Sequence, residues 1–174
     1  MKKLIVTILV CALILFGTSF ALKDTAAENA QQAHLTLMKT LLPGAETFTL
    51  EPYAGDDANI RSVHKGETGY VIETVTAGYA GDIRMLVGVS NEGKVVGIVI
   101  RELHETRGLG TRALTDTDFL AQLLCTSGEA AVGTDVDALS GATVTSKAVV
   151  RCVNSAAAYV TGVDTSSGAT SWGG

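Results

Sequence analysis

Ser140, Gly141, Ala142 and Thr143, followed by Thr145, Ser146 and Lys147, place four hydroxyls and one amine within eight residues. The chain beyond them carries Val149, Val153, Ala156 and Val160, spaced four, three and four, so these groups fall around the start of an amphipathic helix. The first N–H groups of a helix lack internal acceptors and carry the positive end of its dipole, so such a start attracts phosphate. The small Gly141 and Ala142 let a bulky group approach the backbone. Lys147, four residues after Thr143 on the same face, would neutralise an anion there. The same residue types also make an ordinary hydroxyl-rich helix cap, and spacing alone leaves both readings open. Asp-x-x-Ser-Gly-Ala-Thr occurs twice, at Asp137–Thr143 and Asp164–Thr170. The second copy runs into Ser171, Trp172 and two glycines, with no Thr two residues on and no helix pattern. It reads as a chance recurrence, with Thr170 unmodified.

A second group is Leu103–Gly110, LHETRGLG. A zinc-protease helix needs His-Glu-x-x-His, and the fifth position holds Gly108, so that chemistry is excluded. No Cys-x-x-Cys or Cys/His cluster exists either, and no metal site is expected. Gly108 and Gly110 would admit a flat ring close to the backbone, with Leu109 offering an apolar surface between them. The plainer reading makes His104 and Glu105 a loop ion pair. No catalytic triad and no nucleotide-binding glycine turn accompany these residues, so no catalytic residues are expected.

These groups need a scaffold. Tyr70–Thr76, Ile83–Ser90 and Lys94–Glu102 are short and rich in β-branched residues. Asn91-Glu92-Gly93 joins the last two as a three-residue hairpin loop, with Gly93 at positive φ. Thr47–Leu50 and Ile60–His64 are candidates for two further strands. DTDFLAQLLC opens with carboxylates suited to a helix start. KDTAAENAQQAHLTLMKTLLPG reads as a helix with Leu35, Met38 and Leu41 or Leu42 on one face, stopped by Pro43-Gly44. The order predicts an α+β domain, an antiparallel sheet packed by helices.

Leu4–Leu22 is uncharged and follows Lys2 and Lys3. Nineteen helical residues span roughly 28 Å, near the bilayer's ~30 Å hydrocarbon core. A retained transmembrane anchor and a signal peptide cleaved after Ser19-Phe20-Ala21 both fit, and the retained anchor is the expectation. Both put the N-terminus in the cytoplasm and the rest outside. The expected parts are an anchor at 1–22, a juxtamembrane helix at 23–44, the domain at 45–161 and a flexible Gly/Ser-rich tail at 162–174. Thirteen basic against eighteen acidic residues give a formal charge of −5, without the basic footprint of a nucleic-acid binder. Cys11 lies in the span; Cys125 and Cys152 would pair only if the fold brings their Cα atoms within about 7 Å.

DALSGATVTSKAVV resembles the flavin-attachment motif of the FMN-binding domain family found in RnfG and NqrC. GYAGDIRMLVGVSNEGKVVGIVI resembles that family's Gly-Tyr-x-Gly and hairpin, and LHETRGLG its His-Glu-Thr-Pro-Gly-Leu-Gly loop, with Arg107 in place of Pro. With one N-terminal span as well, the chain is more similar to the RnfG branch than to the longer NqrC. The resemblance implies FMN esterified through its phosphate to Thr143 by a flavin transferase. It further implies Ser140, Gly141, Ala142, Thr145, Ser146 and Lys147 near the phosphate, and Tyr79, Glu105, Thr106, Gly108, Leu109 and Gly110 along the ring. It implies an electron-relaying subunit, not an enzyme by itself, in an Rnf-type ferredoxin:NAD+ oxidoreductase that couples electron transfer to Na+ or H+ translocation. Its partners would be the other membrane subunits. A stand-alone exported FMN carrier serving an extracytoplasmic acceptor is the alternative.

Overall fold

The computed structural model describes residues 28–105, 108 and 110–163. The candidate span 4–22, the loop residues Thr106, Arg107 and Leu109, and the tail from Asp164 lie outside them. Among the described residues no helix is long and apolar enough to cross a membrane. Contacts divide the chain into two compact units, Met1–Leu37 and Met38–Gly174, and the sheet, its packing and the site all lie in the second.

Five antiparallel strands form one meander in sequence order: β1 (Thr49–Glu51), β2 (Ile60–Lys65), β3 (Gly69–Ala77), β4 (Asp82–Ser90) and β5 (Val95–Leu103). All five expected strands are present. The β4–β5 hairpin closes through Asn91-Glu92-Gly93, with Gly93 at φ 78° and its N–H donating to the Ser90 carbonyl at 2.9 Å. Sheet alternation sends Ile72 of β3 and Ile83, Met85, Val87 and Val89 of β4 to one face. That face meets helix α3 (Thr143–Thr161), whose Val149, Val153 and Ala156 are fully buried. At about 1.5–3 kcal/mol per buried valine or isoleucine side chain, this interface anchors the helix whose first turn builds the site. The helix ends at Gly162, left-handed at φ 71°. Asn154 reaches sideways to bond both the N–H and the carbonyl of Ala130, fixing the 128–130 loop to α3.

Residues 28–41 form helix α1, stopped before Pro43 with Gly44 at φ 88°. Of its expected stripe, Met38, Leu41 and Leu42 are buried, whereas Leu35 is 42% exposed. Gly88 and Gly97 are register partners in β4 and β5, and the Leu41 carbonyl rests against both. A Cβ on Gly97 would stand 2.6 Å from that carbonyl oxygen, and one on Gly88 would be closer still. Alanine at either position is therefore expected to destabilise the domain by about 1–3 kcal/mol, visible as a lowered urea midpoint.

Between sheet and α3 run a 3-10 turn (Gly110–Leu114) and helix α2, only Thr117–Ala121. Asp116 caps α2, accepting the Phe119 N–H at 3.0 Å. The expected helix is cut short because the chain is drawn onto the sheet. The Cys125 N–H donates to the Val95 carbonyl and the Val95 N–H to the Thr126 carbonyl, pairings incompatible with a continued helix.

Both described cysteines are free, Cys125 exposed and Cys152 buried on α3. Burial pushes the Cys152 thiol from 9.0 up to about 11, the neighbouring Thr74 hydroxyl offsetting part of the shift. The unfolded chain thus releases this proton near pH 9 while the folded one keeps it. The associated stability is fully present below pH 9 and is lost as pH rises towards 11, by about 2–3 kcal/mol at most. Cys152→Ala should remove that part of the alkaline slope in urea-unfolding series. A thiol reagent should label Cys125 in the native domain and reach Cys152 only after unfolding.

Candidate functional site

A cleft of about 510 Å³ lies where three segments meet. The β3–β4 turn contributes Tyr79, the loop after β5 contributes Glu105 and Gly110, and the first turn of α3 with its lead-in contributes Gly141, Ala142, Thr143, Val144 and Thr145. Clefts of roughly 300–1,000 Å³ hold small molecules and cofactors.

The α3 wall is set by Ser146. Its hydroxyl accepts the Leu139 N–H at 3.0 Å and donates to the Ala142 carbonyl at 3.0 Å, while the Ala142 N–H donates back to the Leu139 carbonyl at 2.9 Å. This knot and Gly141, at φ 76°, turn the chain sharply into the helix. The N-cap residue is then Ala142, which has no side chain to cap with. The hydroxyl-rich segment is therefore not an ordinary capping motif, and the dipole's positive end faces the cleft without a capping side chain. Thr143 is the first residue of α3 and is exposed on the rim, whereas Thr145 is 1% exposed.

The opposite wall is held by Glu105. Its carboxylate accepts the Tyr79 N–H at 2.6 Å and the Ala80 N–H at 3.3 Å, so it is engaged with the turn's amides rather than with His104. Gly110 leaves the space between Glu105 and Thr145 open, for a Cβ there would lie 2.8 Å from the Glu105 Cβ and from the Thr145 hydroxyl oxygen. Tyr79 is 73% exposed and Val144 37%, giving the rim two apolar surfaces.

Of the residues singled out in the sequence, Tyr79, Glu105, Gly110, Gly141, Ala142, Thr143 and Thr145 come together at the cleft. Residues 79 and 143 lie far apart in sequence, so this convergence is a product of the fold. Ser140 is exposed and lies off the lining, Ser146 is buried in the turn, and Lys147 is half-buried one helical turn along. Gly108 is exposed, and its N–H is tied to the Thr111 hydroxyl at 3.0 Å. Thr106 and Leu109 lie outside the described residues. Val144 escapes a reading of the sequence; it stands between Thr143 and Thr145, where nothing but its place on the first helical turn signals exposure to the cleft.

These features coincide with a known domain type: the chain matches the FMN-binding domain over residues 78–158, a stretch that contains every residue lining the cleft. Relatives resemble the chain over most of its length. The G subunit of the Na+-translocating ferredoxin:NAD+ oxidoreductase complex of Acetobacterium woodii is 32% identical over 83% of this chain and 81% of its own. The G subunit of the proton-translocating ferredoxin:NAD+ oxidoreductase complex of Clostridium ljungdahlii is 29% identical over 87% and 85%. The G subunit of the ion-translocating oxidoreductase complex of Methanosarcina acetivorans is 34% identical over 80% and 79%. The chain belongs to the RnfG family, the G subunits of ion-translocating oxidoreductase complexes.

Proposed function

We propose that this chain is the FMN-carrying G subunit of an Rnf-type ion-translocating ferredoxin:NAD+ oxidoreductase, with the flavin esterified through its phosphate to Thr143. The observation that carries this reading is the placement of an exposed threonine at the first position of a helix with no capping side chain, on the rim of a cleft of about 510 Å³, a volume of the size that cofactors occupy. The residues present fit the group. The free helix start favours a phosphodiester, Gly110 keeps the cleft from being filled by a side chain, and Tyr79 and Val144 supply apolar rim surface.

When bound, FMN supplies one- and two-electron transfer that the side chains lack. The chain's own part is to bind and orient. The α3 terminus stabilises the phosphodiester charge. The Ser146 knot holds Thr143 at the rim. The Glu105-held turn and Gly110 shape the opposite wall. A flavin transferase would perform the esterification. The segment Leu4–Leu22 would anchor the chain, with the domain on the extracytoplasmic side. Purification of the tagged full chain from gently solubilised membranes is expected to bring down several polytopic membrane subunits and a flavin absorbance. A yellow protein recovered alone would favour a stand-alone exported carrier. A colourless one would defeat the flavin reading.

A further inference from the structure

Glu105 is the residue of the LHETRGLG loop whose role is least evident from its type. Both carboxylate oxygens are engaged with consecutive backbone amides: Oε1 accepts from Tyr79 and Oε2 from Ala80. Successive N–H groups of this kind form a nest that favours an anion. The side chain is closely confined. A Cβ on Gly78 would collide with Oε1, and one on Gly110 would stand 2.9 Å from Oε2. The turn also carries its own closure, the Gly78 N–H donating to the Gly81 carbonyl at 2.9 Å, and Gly81 lies against His104. The residue this arrangement presents is Tyr79, a tyrosine left 73% exposed at the mouth of the cleft.

We propose that Glu105 is a positioning residue: its carboxylate clasps the Gly78–Gly81 turn and thereby sets where Tyr79 stands over the cleft, acting on a bound flavin through that ring. The flavin part rests on the function proposed above; the clasp itself does not. Glycine at 78 and 110 follows from it, because any side chain at either position would displace the carboxylate.

The test uses the full-length protein and has two arms. In the first, amide exchange is followed by mass spectrometry on peptides covering Tyr79 and Ala80, without any need for flavin. Glu105→Ala should speed exchange of these two amides about tenfold, as expected for losing charge-assisted hydrogen bonds. Glu105→Gln, which keeps one acceptor oxygen, should fall between, and the amides of β4 around Val87 should be unchanged. Gly78→Ala, which displaces the carboxylate with Glu105 still present, should reproduce the faster exchange and serves if Glu105→Ala does not fold. Wild-type exchange at Tyr79 and Ala80 in these variants would overturn the clasp. In the second arm, the visible spectrum and fluorescence of the flavin-loaded protein are compared. Glu105→Ala and Tyr79→Ala should give the same change, and the double variant no more than either. Changes that add would mean that Glu105 acts on the flavin independently of Tyr79, overturning the role assigned. A chain that takes up no FMN at all would defeat the proposed function, with the exchange arm still deciding the clasp.

Discussion

Thr143→Val is expected to give a folded domain that carries no covalent flavin. The side chain lies on the exposed rim, outside the packed face of α3 formed by Val149, Val153 and Ala156, so its hydroxyl contributes little to the core. Valine keeps the shape and removes only the nucleophilic oxygen. Because Ala142, not Thr143, is the N-cap residue, the substitution also leaves helix capping as it was. In a denaturing gel viewed under ultraviolet light, the wild-type band should fluoresce, since only a covalent flavin survives unfolding. The variant band should be dark while its stability in urea stays within about 0.5 kcal/mol of wild type, the usual range for surface changes. A bright variant band would move the attachment elsewhere, with Thr170 the first candidate.

Gly110→Val should have the next largest effect, by closing the cleft rather than removing the attachment point. The added carbons would enter the space between Glu105 and Thr145, where even a Cβ is 2.8 Å from both. The domain should lose about 1–3 kcal/mol through overpacking, and covalent flavin loading should fall about tenfold or more, because the cofactor would no longer find room beside Thr145. Gly108→Ala is the matched control in the same loop. A Cβ there meets no described atom within 4 Å, although φ 80° makes the substitution strained. It should therefore cost stability while leaving loading near wild type. Equal loss of loading in both variants would mean that loop strain, not the space beside Thr145, governs binding.

The frame of this site is legible in the sequence because its signals are local. Alternating β-branched runs and Asn91-Glu92-Gly93 announce the β4–β5 hairpin, and the spacing of Val149, Val153 and Ala156 announces a stripe of α3 that packs in the core, although burial runs round the helix beyond it, through every residue from Cys152 to Ala157. What escapes depends on contacts between distant residues. Glu105 and Tyr79 are 26 residues apart, and nothing around either one signals a carboxylate bonded to the other's amide. Ser146 reads as one more hydroxyl for phosphate; it is buried because the Leu139–Ala142 turn needs its oxygen. The early end of α2 reflects the pairing of Cys125 and Thr126 with Val95, about thirty residues earlier in the chain. Gly88 and Gly97 lie inside two expected strands with no local sign of their purpose, and only the Leu41 carbonyl resting against both gives the reason for them.

The most direct measurement of the central claim is peptide mass mapping of the full chain after co-expression with a flavin transferase. It should show a single FMN, attached as a phosphoester, on the peptide containing Thr143, with the peptide containing Thr170 unmodified. An unmodified Thr143 peptide in a chain whose intact mass includes FMN would contradict the assignment, and an intact mass with no FMN would contradict the covalent tether itself.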